Sequence, residues 1–96
     1  MILQLLNQKV CKGWVKEFKF CDDRKWRADF AHPELKILIE YEGGIWNKGR
    51  HIRGQGYIKD MEKYNMAQIL GYKVLRYTYG QENIMLKDIK GLIYGK

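Results

Sequence analysis

The chain of 96 residues lacks most features that divide a protein or cross-link it. Its only proline is Pro33, and it has no low-complexity tract, linker or internal repeat. Cys11 and Cys21 form no CxxC motif and have no histidine nearby in sequence, so we expect reduced, partly buried thiols rather than a zinc site or a disulfide. This length and uniformity predict a single domain over residues 1–96.

Long hydrophobic runs are also missing, and acidic residues are outnumbered. The apolar start of the chain, residues 1–7, is too short for a signal peptide or a membrane span, which favours an intracellular protein with no membrane partner. Lysine and arginine number 18 against 11 acidic residues, a formal net charge of +7. A basic surface suits a polyanion, with nucleic acid as the first candidate and an anionic membrane as the second.

Hydrophobic periodicity predicts elements in the order α-β-β-β-α-β-α. Helices are predicted over 1–11, 57–70 and 82–93, and strands over 15–20, 25–31, 36–42 and 73–79. Gly71 stands where the middle helix should end, and the apolar face of that helix consists of Ile58, Met61, Tyr64, Ala67 and Leu70. A three-strand meander, a crossover helix and a further strand predict an α/β fold with a four-stranded mixed sheet flanked by helices.

Three carboxylates lie in the predicted strands: Asp29 in the second, and Glu40 and Glu42 in the third. Residues two apart on a strand share a face, and a hairpin brings Asp29 near the other two. Acids in apolar strands are costly unless something pairs with them. Converging carboxylate oxygens suit Mg²⁺, with Mn²⁺ as a substitute. Ordinary surface alternation is the other interpretation, but it leaves Gly43-Gly44, which would let a substrate backbone approach, without a reason.

Two further charged side chains have more than one possible partner. Lys63 either pairs with Asp60 on the helix surface or points at the carboxylates, where it would stabilise a reacting phosphate. Arg76 in the fourth strand needs an anion. Glu17, the acid cluster of the three strand carboxylates, or a substrate phosphate would supply it.

Basic residues interleave with tryptophans in a way that suits phosphate contact and base stacking. These residues are Lys16, Lys19, Arg24, Lys25, Arg27, Lys48, Arg50 and Arg53 with Trp14, Trp26 and Trp46. Tryptophans are more often core residues, and Trp46 in the glycine-rich loop over 43–55 is the expected exception. His51 in the same loop is a general base, a phosphate contact or a plain surface histidine. The predicted nucleic-acid contacts are Arg27, Trp46, Arg50, Arg53 and Arg76.

Several segments stand in a specific order: EFKF at 17–20, RKWRADFA at 24–31, IEYEGGIW at 39–46, GRH at 49–51, GY at 56–57, DMEKYNMA at 60–67 and GYKVLRYT at 71–78. Together they resemble the restriction-endonuclease-like, PD-(D/E)XK superfamily, and in particular small phage and bacterial nucleases near the very-short-patch-repair-like endonucleases. The resemblance covers about residues 17–78. It implies an αβββαβ core, Mg²⁺-dependent hydrolysis of DNA phosphodiesters, and a place in the cytoplasm of a bacterial or phage-infected cell.

Under this resemblance Asp29 and Glu40 match the two metal-binding acids of the superfamily, and Glu42 adds a third carboxylate. Glu42 stands where the family usually has a lysine. The resemblance implies that either Lys63 takes over that lysine's role or His51 serves as the base. The auxiliary acids are Glu17 and Asp60.

We therefore predict a small DNA endonuclease in which water attacks phosphorus in line. So few residues leave little room for a sequence-reading domain, which favours cleavage of branched, nicked or flapped DNA in repair or recombination, by a homodimer. Two alternatives stay open. One is a non-catalytic nucleic-acid-binding module on the same fold, motivated by the missing lysine, and the other is a metal-independent RNA-binding protein.

Overall fold

The computed structural model describes residues 1–42 and 55–95, and the side chains of 1–42 and 58–95. Its elements follow the predicted order: α1 (Ile2–Lys9), β1 (Val15–Phe18), β2 (Ala28–His32), β3 (Ile37–Glu42), α2 (Gln55–Ile69), β4 (Lys73–Thr78) and α3 (Glu82–Tyr94). The largest difference from the predicted bounds is at β2, which begins at Ala28, later than predicted. In the described ranges, no helix is both long enough and apolar enough to cross a bilayer.

The strands form one mixed sheet in the order β1-β2-β3-β4. The first three are antiparallel neighbours, and β4 runs parallel to β3. The parallel pair requires a crossover, which α2 supplies. This confirms the predicted α/β fold with a four-stranded mixed sheet. The register sets Glu40 beside Arg76 and Glu42 beside Thr78.

Helices cover both faces of the sheet. On one face α1 and α3 contribute Leu6, Met85 and Ile89 to a core with Ile37 and Ile39 of β3. On the other face Ala67 of α2 packs on a smaller cluster made of Phe20, Ala28, Ala31 and Leu38. The near-continuous apolar run of β3 fits this position, because a strand covered on both faces has no solvent side.

Helix α2 runs antiparallel to β3. Lys36 Nζ donates to the Leu70 carbonyl at 2.9 Å at one end, and Lys63 reaches Glu40 further along. The first turns of α2 therefore extend past Glu42, where β3 ends. Ile58 and Met61, which the sequence places on the apolar face of this helix, are therefore 62% and 47% exposed.

The predicted stop of α2 at Gly71 is confirmed. Gly71 has φ +95°, a left-handed conformation that costs little only for glycine. The Tyr72 amide then donates back to the Ala67 carbonyl at 2.9 Å. Cys11 and Cys21 are free and half-buried, as predicted.

His32 has a structural role. It is buried, its Nδ1 accepts from the Leu35 amide at 3.2 Å, and its Nε2 lies 2.8 Å from the Lys12 carbonyl. Since Nδ1 accepts, Nε2 carries the proton and donates to Lys12. Gly13, with φ +110°, lies so close to the ring that an added Cβ would fall 2.5 Å from Nε2.

Candidate metal centre

Asp29 and Glu40 meet where the β2–β3 ladder stops. The last backbone pair is Phe30 with Ile39. Beyond it, the Asp29 carboxylate accepts a hydrogen bond from the Tyr41 amide at 2.8 Å. A side-chain oxygen thus takes the place of a backbone partner and holds Asp29 against β3. We call Asp29 and Glu40 the carboxylate pair.

Glu40 is the buried member of this pair, with 7% of its surface exposed. Burial raises the pKa of the Glu40 carboxyl, and the charge of Asp29 raises it further. Lys63 opposes both effects, because its Nζ lies 3.3 Å from Glu40 Oε2. Among the ion pairs of the described residues, Lys63 pairs with Glu40 rather than with Asp60. The second interpretation of Lys63, that it points at the carboxylates, is therefore confirmed.

Glu42 has a different partner. Arg76 Nε donates to Glu42 Oε2 at 2.8 Å, and Arg76 Nη2 contacts the same oxygen. Of the three anions considered for Arg76, the one that it contacts in the structure is the acid cluster, through Glu42. This pair lies nearer to solvent than the carboxylate pair, with side chains 48% and 34% exposed.

Tyr64 links the two ion pairs. The guanidinium of Arg76 lies 4.5 Å from the centre of its ring, and Lys63 Nζ lies 5.5 Å from it. Burial, followed by the charge of Glu40, raises the pKa of the Tyr64 hydroxyl, so this group stays protonated at neutral pH. Sequence reasoning placed Tyr64 on an apolar face and missed this contact. Its position directly after Lys63, on the helix that crosses over the sheet, was the available signal.

The described residues do not gather three or more histidine, cysteine or acidic side chains into one metal-binding group. The predicted trio is divided, since Glu42 is bonded to Arg76 while Asp29 and Glu40 stay together. Two carboxylates are still a suitable donor set for Mg²⁺, which usually takes one or two of them and fills its remaining positions with water and phosphate oxygens. Burial, and then the charge of Asp29, raise the pKa of Glu40, and a bound cation would favour the charged form of Glu40.

The other predicted site residues are exposed or lie outside the described residues. Arg27 and Asp60 are exposed, and besides burial and the charge of Glu40, the charge of Asp60 raises the pKa of Tyr64. Glu17 is exposed in β1 with φ 52°, between the strand pairs that involve Lys16 and Phe18. Trp46, Arg50, His51 and Arg53 lie outside the described residues.

A comparison of the chain with models of protein families, with curated proteins and with solved structures found no match. The resemblance to the PD-(D/E)XK superfamily therefore depends on the segments quoted above.

Proposed function

We propose that this protein is a Mg²⁺-dependent DNA endonuclease that acts on branched, nicked or flapped DNA in repair or recombination. The observation that carries the proposal is the buried carboxylate of Glu40, set between the carboxylate of Asp29 and the ammonium of Lys63. Acids whose pKa is shifted by burial and by a specific charged partner occur frequently at catalytic sites. The basic composition of the chain supports a nucleic-acid substrate.

Asp29 and Glu40 would hold the metal ion, with Mn²⁺ as a substitute for Mg²⁺. When bound, the ion would activate a water molecule and neutralise charge that develops on the phosphodiester. Glu42 is a weaker candidate ligand, because Arg76 already occupies one of its oxygens. A variant that frees Glu42 would show whether it can join the site.

The cations beside the carboxylate pair have separate roles in this proposal. In this proposal Lys63 takes the role of the lysine that the motif usually has at position 42 of the strand. Its ammonium reaches Glu40 from the helix instead. It would stabilise negative charge on the phosphate. Arg76 keeps half of its side chain in solvent and would contact a neighbouring phosphate. Tyr64, in contact with both, orients them.

The alternative function is a non-catalytic nucleic-acid-binding module, and one observation favours it. Lys63 neutralises Glu40 within the protein, so the site has partial charge balance without a metal. A binding module would need only the basic surface. The two functions make opposite predictions for cleavage and for the effect of Mg²⁺.

The test compares wild type with Glu40→Gln and Glu34→Gln on branched, nicked and linear DNA, in Mg²⁺, in Mn²⁺ and in chelator. Glutamine keeps the shape of Glu40 and removes its charge, and Glu34 is an exposed glutamate in the turn before β3 that serves as the control. We expect metal-dependent cleavage that is lost in Glu40→Gln and kept in Glu34→Gln. Binding without cleavage in either metal would establish the module instead. Cleavage that survives Glu40→Gln would place the site elsewhere.

A second measurement addresses the metal without depending on activity. Mg²⁺ that binds the folded protein but not the unfolded chain stabilises the fold, so Tm rises with the concentration of Mg²⁺. We expect this rise in wild type and in Glu34→Gln, and no rise in Glu40→Gln.

The proposed homodimer, which the small core of such a short chain favours, is tested by sedimentation with and without branched DNA.

A further inference from the structure

Three side chains form a stacked column that runs from the core to the surface. Phe20 is 7% exposed and lies at its base. The Trp26 ring stacks on Phe20, with centroids 6.2 Å apart and an interplanar angle of 19°. The guanidinium of Arg24 lies 4.6 Å from the centre of the Trp26 ring. The column therefore ends on a cation whose side chain is 47% exposed.

The end of the column contacts α2, the helix that also carries Lys63. Arg24 Nη2 lies 3.5 Å from Glu62 Oε2, a contact that restricts where the guanidinium rests. Glu62 comes one residue before Lys63 in α2, and Trp26 comes three residues before Asp29. The same two segments thus supply the column and the candidate metal centre. Exposed Lys25 and Arg27 flank it, with the exposed acids of the preceding turn, Asp22 and Asp23, partly offsetting their charge.

We propose that the Arg24 guanidinium, supported by Trp26 and Phe20, is a stacking surface for an unpaired nucleobase of the DNA substrate. A guanidinium plane stacks on nucleobases as it does on aromatic rings, and its charge also attracts the phosphate backbone. Bases in an intact duplex are stacked on their neighbours and cannot reach such a surface. The preferred substrate is therefore DNA with a single-stranded segment or a displaced base next to the bond that is cut. The inference rests on the proposed nucleic-acid substrate.

The experiment separates stacking from charge by a matched pair of conservative substitutions. Arg24→Lys keeps the positive charge and removes the planar group, and Arg27→Lys makes the same change three residues away, where no ring contact is found among the described residues. Binding of a short single strand and of a blunt duplex is measured by fluorescence anisotropy, in chelator so that cleavage does not interfere. A 2-aminopurine base in the single strand reports stacking by its quenching.

We expect Arg24→Lys and Arg24→Gln to weaken single-strand binding by about ten-fold, a typical loss for one stacked base. Arg24→Lys should bind duplex as wild type does within about two-fold, and both variants should show reduced quenching and keep the wild-type circular dichroism. Arg27→Lys keeps the charge of a predicted phosphate contact, so it should change single-strand and duplex binding by the same factor and leave the quenching as in wild type. Single-strand affinity and quenching unchanged in Arg24→Lys would overturn the inference while leaving metal-dependent cleavage standing. Stacking without any cleavage in Mg²⁺ or Mn²⁺ would overturn the proposed nuclease activity and leave the stacking surface standing. Binding to neither form of DNA would overturn both proposals.

Discussion

Removal of the ammonium from Lys63 tests the electrostatics of the carboxylate pair directly. Lys63→Met keeps most of the apolar stem and deletes the cation that lies 3.3 Å from Glu40 Oε2. Glu40 would then keep its charge in a site with 7% exposure, close to the charge of Asp29. The substitution leaves the rest of the site unchanged. The change in the free energy of unfolding therefore measures the contribution of the ion pair.

The expected loss of unfolding free energy is large for a single residue of a surface helix. Removing one partner of a buried ion pair costs about 3–5 kcal/mol, because the remaining charge is uncompensated. The two side chains are 16% and 10% exposed, so some water reaches them and the lower end applies. We expect a loss of about 3 kcal/mol at about pH 8. For a domain of this size that lowers Tm by roughly 12 °C or more.

The loss should also depend on pH with a definite sign. The pKa of Glu40 is raised above 4.5 in the folded protein by burial, and Lys63 acts to lower it, so the substitution raises it further. A carboxyl group with a raised pKa binds its proton more tightly when folded. Its contribution to stability is fully present below the unfolded pKa and is lost as pH rises through the folded pKa. The cost of Lys63→Met should therefore be small near pH 4.5 and grow as pH rises.

Urea denaturation at about pH 5 and about pH 8 measures both effects. Lys59→Met is the matched control, because Lys59 is an exposed lysine one turn earlier on α2, and its cost should stay within about 0.5 kcal/mol. A loss for Lys63→Met that equals the control would refute the ion-pair reasoning. A large loss of equal size at both pH values would show that packing, rather than the charge of Glu40, is responsible.

Two further substitutions test how the site and its support are built. Asp29→Ala should cost about 1–3 kcal/mol, because it leaves the Tyr41 amide without its acceptor, whereas Asp29→Asn keeps a carbonyl oxygen there and should cost less than half as much. Urea denaturation of the two variants gives the difference, and equal losses would count against the hydrogen bond. Gly13→Ala should cost about 3–4 kcal/mol, since it combines a left-handed backbone with a Cβ that falls 2.5 Å from His32 Nε2. Gly80→Ala is the control at φ +92°, where the added Cβ meets no described atom within 4 Å, and it should cost about 1–2 kcal/mol; thermal unfolding that ranks the two alike would disprove the His32 contact.

The order of elements was predictable because each depends on local patterns. Alternation in β1, the apolar run of β3 and the glycine after α2 are all short-range signals. The late start of β2 was not predictable in the same way. It follows from pairing with a separate strand, since β2 begins at Ala28, opposite Phe18, where β1 ends. The exposure of Ile58 and Met61 was missed because periodicity shows which residues share a face, but not how far a helix extends beyond the sheet.

The candidate site, like the fold, was predictable only in part. The three acids could be found in the sequence because a carboxylate among apolar strand residues is conspicuous. Their partners could not, and Lys63 stood with two possible contacts and Arg76 with three. The contact of Tyr64 with both cations had one signal, its position directly after Lys63, but an aromatic residue on an apolar helix face predicts core packing first.

The sequence by itself determined the α/β order, the mixed sheet and the positions of the acids, since backbone propensity and side-chain alternation act over a few residues. The tertiary structure alone decided which cation meets which acid. The antiparallel course of α2 over β3 puts Lys63 at Glu40, and the parallel register of β4 puts Arg76 within reach of Glu42. Charge pairing depends on distances across elements that are far apart in the chain, and only the packed fold sets those distances.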